Sequence, residues 1–276
     1  MEVILGIDMG GSATKLVSLG ADGGVISMLQ LPVQEQLSGL PAMLDTFLRD
    51  NNLSPLDVRR VVLTGVGASY VDGDIGGLPT CKVDEFLASS TGALALSGQE
   101  RGVVATLGTG TAFLWADGDS VRHLCGTGVG GGTLKGLCRA LAGTERICQI
   151  QDMASRGDVT KVDLTMRDII KDATSTLDLD MTAANFGKLA EDHSPADLTA
   201  GAVNLILQVI GTMTVLACQC CNSNTVILTG ALTKLAQAGP NFALFERLYG
   251  IHYMIPENAA FATAIGAALY SLRHDA

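Results

Sequence analysis

The sequence is short of basic residues: 18 Lys and Arg stand against 28 Asp and Glu, a formal net charge of −10. That balance repels nucleic-acid phosphates and anionic lipid, so neither nucleic acid nor a membrane surface is an expected partner. A local phosphate site stays open, because backbone N–H groups build one without net charge. Charge of either sign is sparse, at 17% of residues against 47% hydrophobic, and this apolar surplus rules out wholesale disorder. The seven cysteines (Cys81, Cys125, Cys138, Cys148, Cys218, Cys220 and Cys221) are odd in number. A disulfide framework is disfavoured, and a reducing cytoplasm fits better. The opening Met1-Glu2-Val3-Ile4-Leu5 has no basic region or long apolar stretch, so it does not read as a signal peptide. The most apolar segment, Ala202 to Cys218, is interrupted by Asn204, Gln208, Thr212 and Thr214. It falls short of the ~20 clean apolar residues of a membrane span and reads as a buried helix. The P-loop pattern GxxxxGK[ST] is missing as well.

What is present is a grammar used twice. The 276 residues fit one large or two medium domains. Val3–Ile7 reads as a strand, Asp8 to Ser12 as a turn, Ala13–Leu19 and Val25–Leu31 as returning strands, Leu40–Asn51 as a helix and Arg60–Leu63 as a strand ending at Thr64-Gly65. The second half repeats this. Val103–Leu107, Thr111–Trp115 and Val121–Cys125 are strands, and Thr225–Leu228 runs into Thr229-Gly230. Residues from about 126 to 222 insert helices into the second unit, one from Thr133 to about Leu141. A longer one is capped by Ser194-Pro195 and continues to about Cys221. A last helix covers Phe261–Leu272. The expected division is residues 1–100 plus 257–276 in one unit and 101–256 in the other, with a hinge near residue 100.

The 33 glycines cluster at strand ends and helix starts: Gly10-Gly11, Gly108 and Gly110, Gly128 with Gly130–Gly132, and Gly230. Each cluster alone is compatible with simple turn geometry. Together, in two matching halves, they would face one another across a cleft and offer N–H donors to a polyphosphate. Gly126–Gly131 matches GxGxxG, but Arg146–Ala154, where a second strand ending in an acid belongs, reads as helix, which disfavours a dinucleotide fold. Strand–Asp–Gly-Gly–strand, duplicated, is the plan of the actin and sugar-kinase ATPases. The expected fold is therefore α/β: duplicated ribonuclease H-like (actin-like ATPase) domains with a nucleotide cleft between them.

Several segments closely resemble the type II pantothenate kinases: Gly6–Lys15, Glu85-Phe86, Leu107–Thr111, Gly126–Leu137, Asp152–Asp158, Leu179–Gly187 and Glu257–Ala267. The resemblance implies transfer of the ATP γ-phosphoryl to the primary hydroxyl of pantothenate, in a homodimer built on the long Pro195–Cys221 helix. It implies Asp8 as the group that orients Mg²⁺, and Glu85 as the base that takes the hydroxyl proton. ATP would be bound by Asp8, Gly10, Gly11, Ser12, Ala13, Thr14, Lys15, Thr109, Gly131, Gly132, Thr133, Leu134, Lys135, Ile147, Gly230 and Ala231. Thr111, Arg122 and His123 would serve the acceptor. On residue type alone, Glu85 also reads as a solvated acid near a helix start, with Asp84 its neighbouring competitor. Where the family has a pantothenate-binding Arg, this sequence has His123, preceded by Arg122. A His lacks the two-pronged grip of Arg. Protonated His123, a shifted Arg122 and a different acceptor are all open at this point. An amino-sugar kinase is one alternative on the same scaffold. An ATP-driven dehydratase activator, with an iron–sulfur cluster on Cys125 and Cys148, is another.

Overall fold

The computed structural model describes residues 2–32, 39–170, 179 and 181–274; Met1 and Asp180, each part of a reading above, lie outside them. In the first half, β1 (Val3–Met9), β2 (Ala13–Gly20) and β3 (Val25–Pro32) form an antiparallel meander. After α1 (Leu40–Asp50), β4 (Val58–Thr64) and β5 (Thr80–Lys82) add in parallel beside β1. The sheet order is β3-β2-β1-β4-β5. Then α2 (Glu85–Ser97) leads to a second meander, β6 (Arg101–Leu107), β7 (Thr111–Asp117) and β8 (Ser120–Thr127). An insertion follows, made of α3 (Gly131–Ala142), α4 (Ile147–Arg156), β9 (Leu164–Thr165), α5 (Met166–Ile169), β10 (Thr182–Ala184) and α6 (Pro195–Cys221). The chain closes with β11 (Thr225–Thr229), α7 (Ala238–Tyr249), β12 (His252–Met254) and α8 (Ala262–His274). The second sheet runs β8-β7-β6-β11-β12, the same topology as the first. The duplication read from the sequence is therefore structural.

Two differences from the sequence reading bear on the site. β1 continues through Asp8 to Met9, because Asp8 pairs with Lys15 on one side and Thr64 on the other. Asp8 thus sits on a strand held from both flanks, not on a turn. Likewise α3 begins at Gly131, two residues before the expected Thr133.

Strand β1 is buried along its whole length, as expected for a strand covered on both faces. Its odd residues, Val3, Leu5, Ile7 and Met9, pack with Leu44, Phe47 and Leu48 of α1. On the other face Ile4 meets Ala88 of α2 and Ala267 and Ala268 of α8. The far side of α2 places Ala93 and Leu94 against Val104, Leu114, Ala116 and Ile227 of the second sheet. An apolar helix without a polar face is what that sandwiched position requires. α2 and α8 cross in backbone contact: a Cβ on Gly92 would lie 1.8 Å from the Ala262 carbonyl oxygen, and one on Gly266 1.8 Å from that of Ala88. On the outer face of the second sheet, Val103, Leu107 and Phe113 form a core with Leu134 of α3, Ile206 and Ile210 of α6, and Phe242 of α7.

The long helix starts as its sequence predicts. The Asp197 N–H donates to the Ser194 hydroxyl at 3.2 Å, and the Ser194 N–H donates to the Asp197 carboxylate at 2.8 Å. By length and mean hydropathy (1.8) α6 could cross a membrane, but 67% of its most apolar stretch is buried inside the protein.

Candidate active site

Even-numbered residues of β1 face α2 and α8, so Asp8, two residues beyond Gly6 and four beyond Ile4, points into the gap between the first sheet and those helices. It is 6% exposed. Burial raises its carboxyl above the ordinary value, and the Lys15 ammonium, 3.3 Å from Oδ2, pulls the other way. A buried carboxylate with one long ion-pair contact still has capacity for a cation. Oδ1 leans over Gly65: a Cβ there would come within 2.7 Å of it, and Gly65 has φ +86°. That backbone region is essentially reserved for glycine.

The choice between the two adjacent acids is made by helix capping. Asp84 is the N-cap of α2, and its carboxylate accepts hydrogen bonds from the N–H groups of Phe86 and Leu87, both at 3.0 Å. Glu85, the first helical residue, is left half-buried and facing the Asp8–Lys15 pair. Burial is the main cause of its raised pKa; the charges of Asp8 and then Asp84 add to it, and Lys15 opposes them. The four groups therefore share one electrostatic environment.

The two glycine hairpins meet. The Ser12 and Thr109 hydroxyls lie 2.7 Å apart although 97 residues separate them in sequence. Behind them the β6–β7 turn is knitted to the start of α3, because the Gly131 N–H donates to the Gly108 carbonyl and the Gly132 N–H to the Thr109 carbonyl, both at 2.8 Å. Gly130 is packed so tightly that a Cβ would meet the backbone of Gly110 at 2.7 Å. Of the expected phosphate donors, Gly131, Gly132 and Gly10 (to the Ala13 carbonyl at 3.1 Å) thus direct their N–H groups to protein carbonyls in this conformation. The side chains of Ser12, Thr109 and Lys15 converge on the gap instead. Thr14 is buried, Gly11 exposed and Ala13 half-buried along the same hairpin. On α3, Thr133 donates to the Gly128 carbonyl at 2.7 Å, Lys135 is half-buried, and the Leu134 side chain is fully buried in the core. Leu134 can offer a ligand only its backbone.

The residues expected around the base and ribose gather at one corner of the second half. Gly230 (φ +92°) donates its N–H to the Ala259 carbonyl at 2.9 Å, and Ala231 opens a short 3₁₀ turn to Lys234. Gln151 of α4 donates to the Lys234 carbonyl at 3.0 Å, which ties the helix begun by the exposed Ile147 to that turn. The Lys234 ammonium lies over the Phe261 ring at 5.4 Å. Neither Gln151 nor Lys234 carries a sequence signal that would single it out.

The acceptor residues separate. A bulge at Leu124 puts His123 opposite Leu114, on the face toward α2, and Arg122 opposite Trp115 on the other face. The His123 ring stacks on Phe86, with centroids 4.7 Å apart and planes 3° from parallel, next to Glu85. Arg122 points to α6, its guanidinium donating to the Cys221 sulfur at 3.6 Å. Thr111 is buried, with its hydroxyl donating to the Val129 carbonyl at 2.9 Å. Of the three, His123 is the one packed against α2, on the residue that follows Glu85. Cys125 is half-buried on β8 and Cys148 exposed on α4, and among the described residues no group of three or more His, Cys, Asp or Glu could hold a metal ion.

Solved structures of similar shape include component A of the Acidaminococcus fermentans (R)-2-hydroxyglutaryl-CoA dehydratase, with a TM-score of 0.71 at 15% identity over 99% of this chain and 98% of that one. A ROK family glucokinase from Streptomyces griseus, in complex with glucose and AMPPNP, has a TM-score of 0.65 at 13% identity over 97% and 98%. These likenesses establish the duplicated actin-like ATPase fold. In sequence, residues 103–239 match the Fumble family. The type II pantothenate kinase of Staphylococcus aureus (strain USA300) is 31% identical over 232 residues, covering 78% of this chain and 84% of that protein. With that identity spread over both halves of the fold, the chain belongs to the type II pantothenate kinase family.

Proposed function

We propose that the protein transfers the γ-phosphoryl group of ATP to the primary hydroxyl of pantothenate, giving 4′-phosphopantothenate, the first step of coenzyme A synthesis. The observation that carries this reading is the placement of Glu85, freed by the Asp84 cap and turned toward Asp8 and Lys15, in a chain 31% identical to a kinase of that name. The activators of similar fold share 15% of its sequence and bear on fold alone.

In the proposed step Glu85 takes the hydroxyl proton as the oxygen attacks the γ-phosphorus and the bond to the ADP oxygen breaks. A carboxylate whose pKa is raised is a stronger base when ionised, and such a base contributes typically ~10²–10⁴-fold. Lys15, with the Ser12 and Thr109 hydroxyls reaching in from opposite halves, positions the phosphates. Asp8 would offer Mg²⁺ a hard oxygen donor of the kind that ion takes, and a bound Mg²⁺ would neutralise phosphate charge. His123 faces the acceptor carboxylate in this reading, most effectively when protonated.

The homodimer is proposed through α6, where Leu216 (52% exposed), Thr212 and Cys220 leave an outward stripe uncovered. A cytoplasmic setting is supported by seven free thiols. The deciding assay compares ATP consumption with pantothenate, with N-acetylglucosamine and without acceptor. Turnover with pantothenate alone supports the proposal; equal turnover without acceptor points to an ATP-driven activator.

A further inference from the structure

The Thr64 hydroxyl is a cost that the fold does not recover. Thr64 is 1% exposed, and its Oγ1 has no hydrogen-bond partner among the described residues. A buried hydroxyl without a partner is destabilising, and a valine of the same shape would avoid the penalty. Its position is specific: Thr64 is the β4 residue in register with Asp8. It lies two residues beyond Val62, which packs against Ala88, so both Thr64 and Asp8 face α2. Glu85 opens that helix, three residues before Ala88.

The second half holds an internal comparison. There Thr229 is in register with Thr106, the position equivalent to Asp8, and the Thr229 hydroxyl donates to the Thr106 hydroxyl at 3.4 Å. The same strand pair thus satisfies itself where the partner is threonine. In the first half Asp8 gives Oδ2 to Lys15 and lays Oδ1 over Gly65, and the neighbouring hydroxyl is left open. Buried waters are stable where two to four polar groups surround them, and the Asp8–Lys15 pair lies on the face of the sheet onto which Thr64 looks, with Glu85 in the same electrostatic environment.

We propose that Thr64 is a positioning residue for phosphoryl transfer: its hydroxyl holds a water shared with the Asp8 carboxylate, through which metal-bound nucleotide is gripped. This rests on the reading of the Asp8 cleft as the ATP site. Three variants test it: Thr64→Val, Thr64→Ser, and Ser90→Ala, which removes another buried, unpartnered hydroxyl from α2. Each is measured for Tm without ligand and for calorimetric affinity toward AMPPNP with and without Mg²⁺, always without acceptor. Thr64→Val is expected to keep or raise Tm, to lose about tenfold in affinity for Mg–AMPPNP, and to leave metal-free AMPPNP binding unchanged. Thr64→Ser should return to within roughly threefold of the parent, and Ser90→Ala should change no affinity. Unchanged Mg–AMPPNP binding in Thr64→Val, a lowered Tm in that variant, or the same affinity loss in Ser90→Ala would each overturn the proposal. Parent protein that binds no Mg–AMPPNP overturns this and the ATP-site reading together. Parent protein that binds it but does not phosphorylate pantothenate counts against the acceptor alone, and the Thr64→Val comparison still decides the proposal.

Discussion

The two halves share a topology and differ in chemistry. Each has a three-strand meander, two parallel strands, and a Thr-Gly step at positive φ leading into a 3₁₀ turn, Thr64-Gly65 (+86°) in one and Thr229-Gly230 (+92°) in the other. At the end of the central strand the first half pairs Asp8 with Lys15. The second half has Thr106 opposite Ala112 at that register. The glycines are shared out the other way, with Gly128 and Gly130–Gly132 found only in the second half, where they lock α3 onto the β6–β7 turn. A duplicated scaffold thus supplies two hairpins that meet at Ser12 and Thr109, and divergence places the buried Asp8–Lys15 pair on the first-half side of the meeting point. Concentrating charge there lets burial and neighbouring charges tune Asp8 and Glu85 without disturbing the second core.

The largest test of this asymmetry is Glu85→Gln, expected to lower kcat by ~10²–10⁴-fold while calorimetric nucleotide affinity stays close to the parent value. Normal turnover in that variant would end the assignment of chemistry to the first half. Next come the paired glycines. Gly65→Ala and Gly230→Ala each place a side chain in backbone geometry that costs roughly 1–3 kcal/mol. At Gly230 the new Cβ meets the Leu107 backbone oxygen at 2.4 Å, which cannot step aside, whereas at Gly65 it meets Asp8 Oδ1 at 2.7 Å, which can, and the Met9 carbonyl oxygen at a milder 2.9 Å. Thermal denaturation should show the larger loss for Gly230→Ala and kinetics the larger loss for Gly65→Ala; the reverse order would break the comparison.

A subtler separation is expected in pH. Asp8 and Glu85 have raised folded-state values, so folded protein holds their protons more tightly than unfolded protein. Their contribution to stability is fully present below the ordinary carboxylate pKa and is lost as pH rises through the folded values. Asp168 and Asp197, in the insertion, are lowered to about 2 by hydrogen bonds from Lys188 and Thr165 and from the Asp158 and Ser194 backbones. Their contribution is present above the ordinary value and is lost as pH falls toward 2. Urea titrations across acid pH should therefore show both slopes, and Glu85→Gln should flatten only the upper one. The smallest expected effect is at the acceptor. His123→Arg should lower the KM for pantothenate severalfold and Arg122→Ala should leave it unchanged, because residue 123 packs on Phe86 of α2 whereas residue 122 points to α6.

Much of the architecture was legible because it is local. Alternation gave the meanders, Ser194-Pro195 gave the start of α6, and Thr-Gly after each parallel strand gave the matching turns. What stayed ambiguous was directional. Alternation alone could not assign Arg122 and His123 to faces, since a bulge at Leu124 shifts the register between them and the bend before α3. Asp84 and Glu85 were equivalent acids until capping consumed one of them. The Thr111 hydroxyl donates to the Val129 carbonyl 18 residues away, a contact that no local pattern announces.

By itself the sequence determined the duplicated scaffold and the family, since strand periodicity, glycine at positive φ and caps act within a few residues of chain. Tertiary structure alone decided which side of β8 packs against α2, and that the Thr64 hydroxyl has no partner among the described residues. Those outcomes depend on groups far apart in the chain whose burial, register and charge take effect only once two sheets close on α2 and α8.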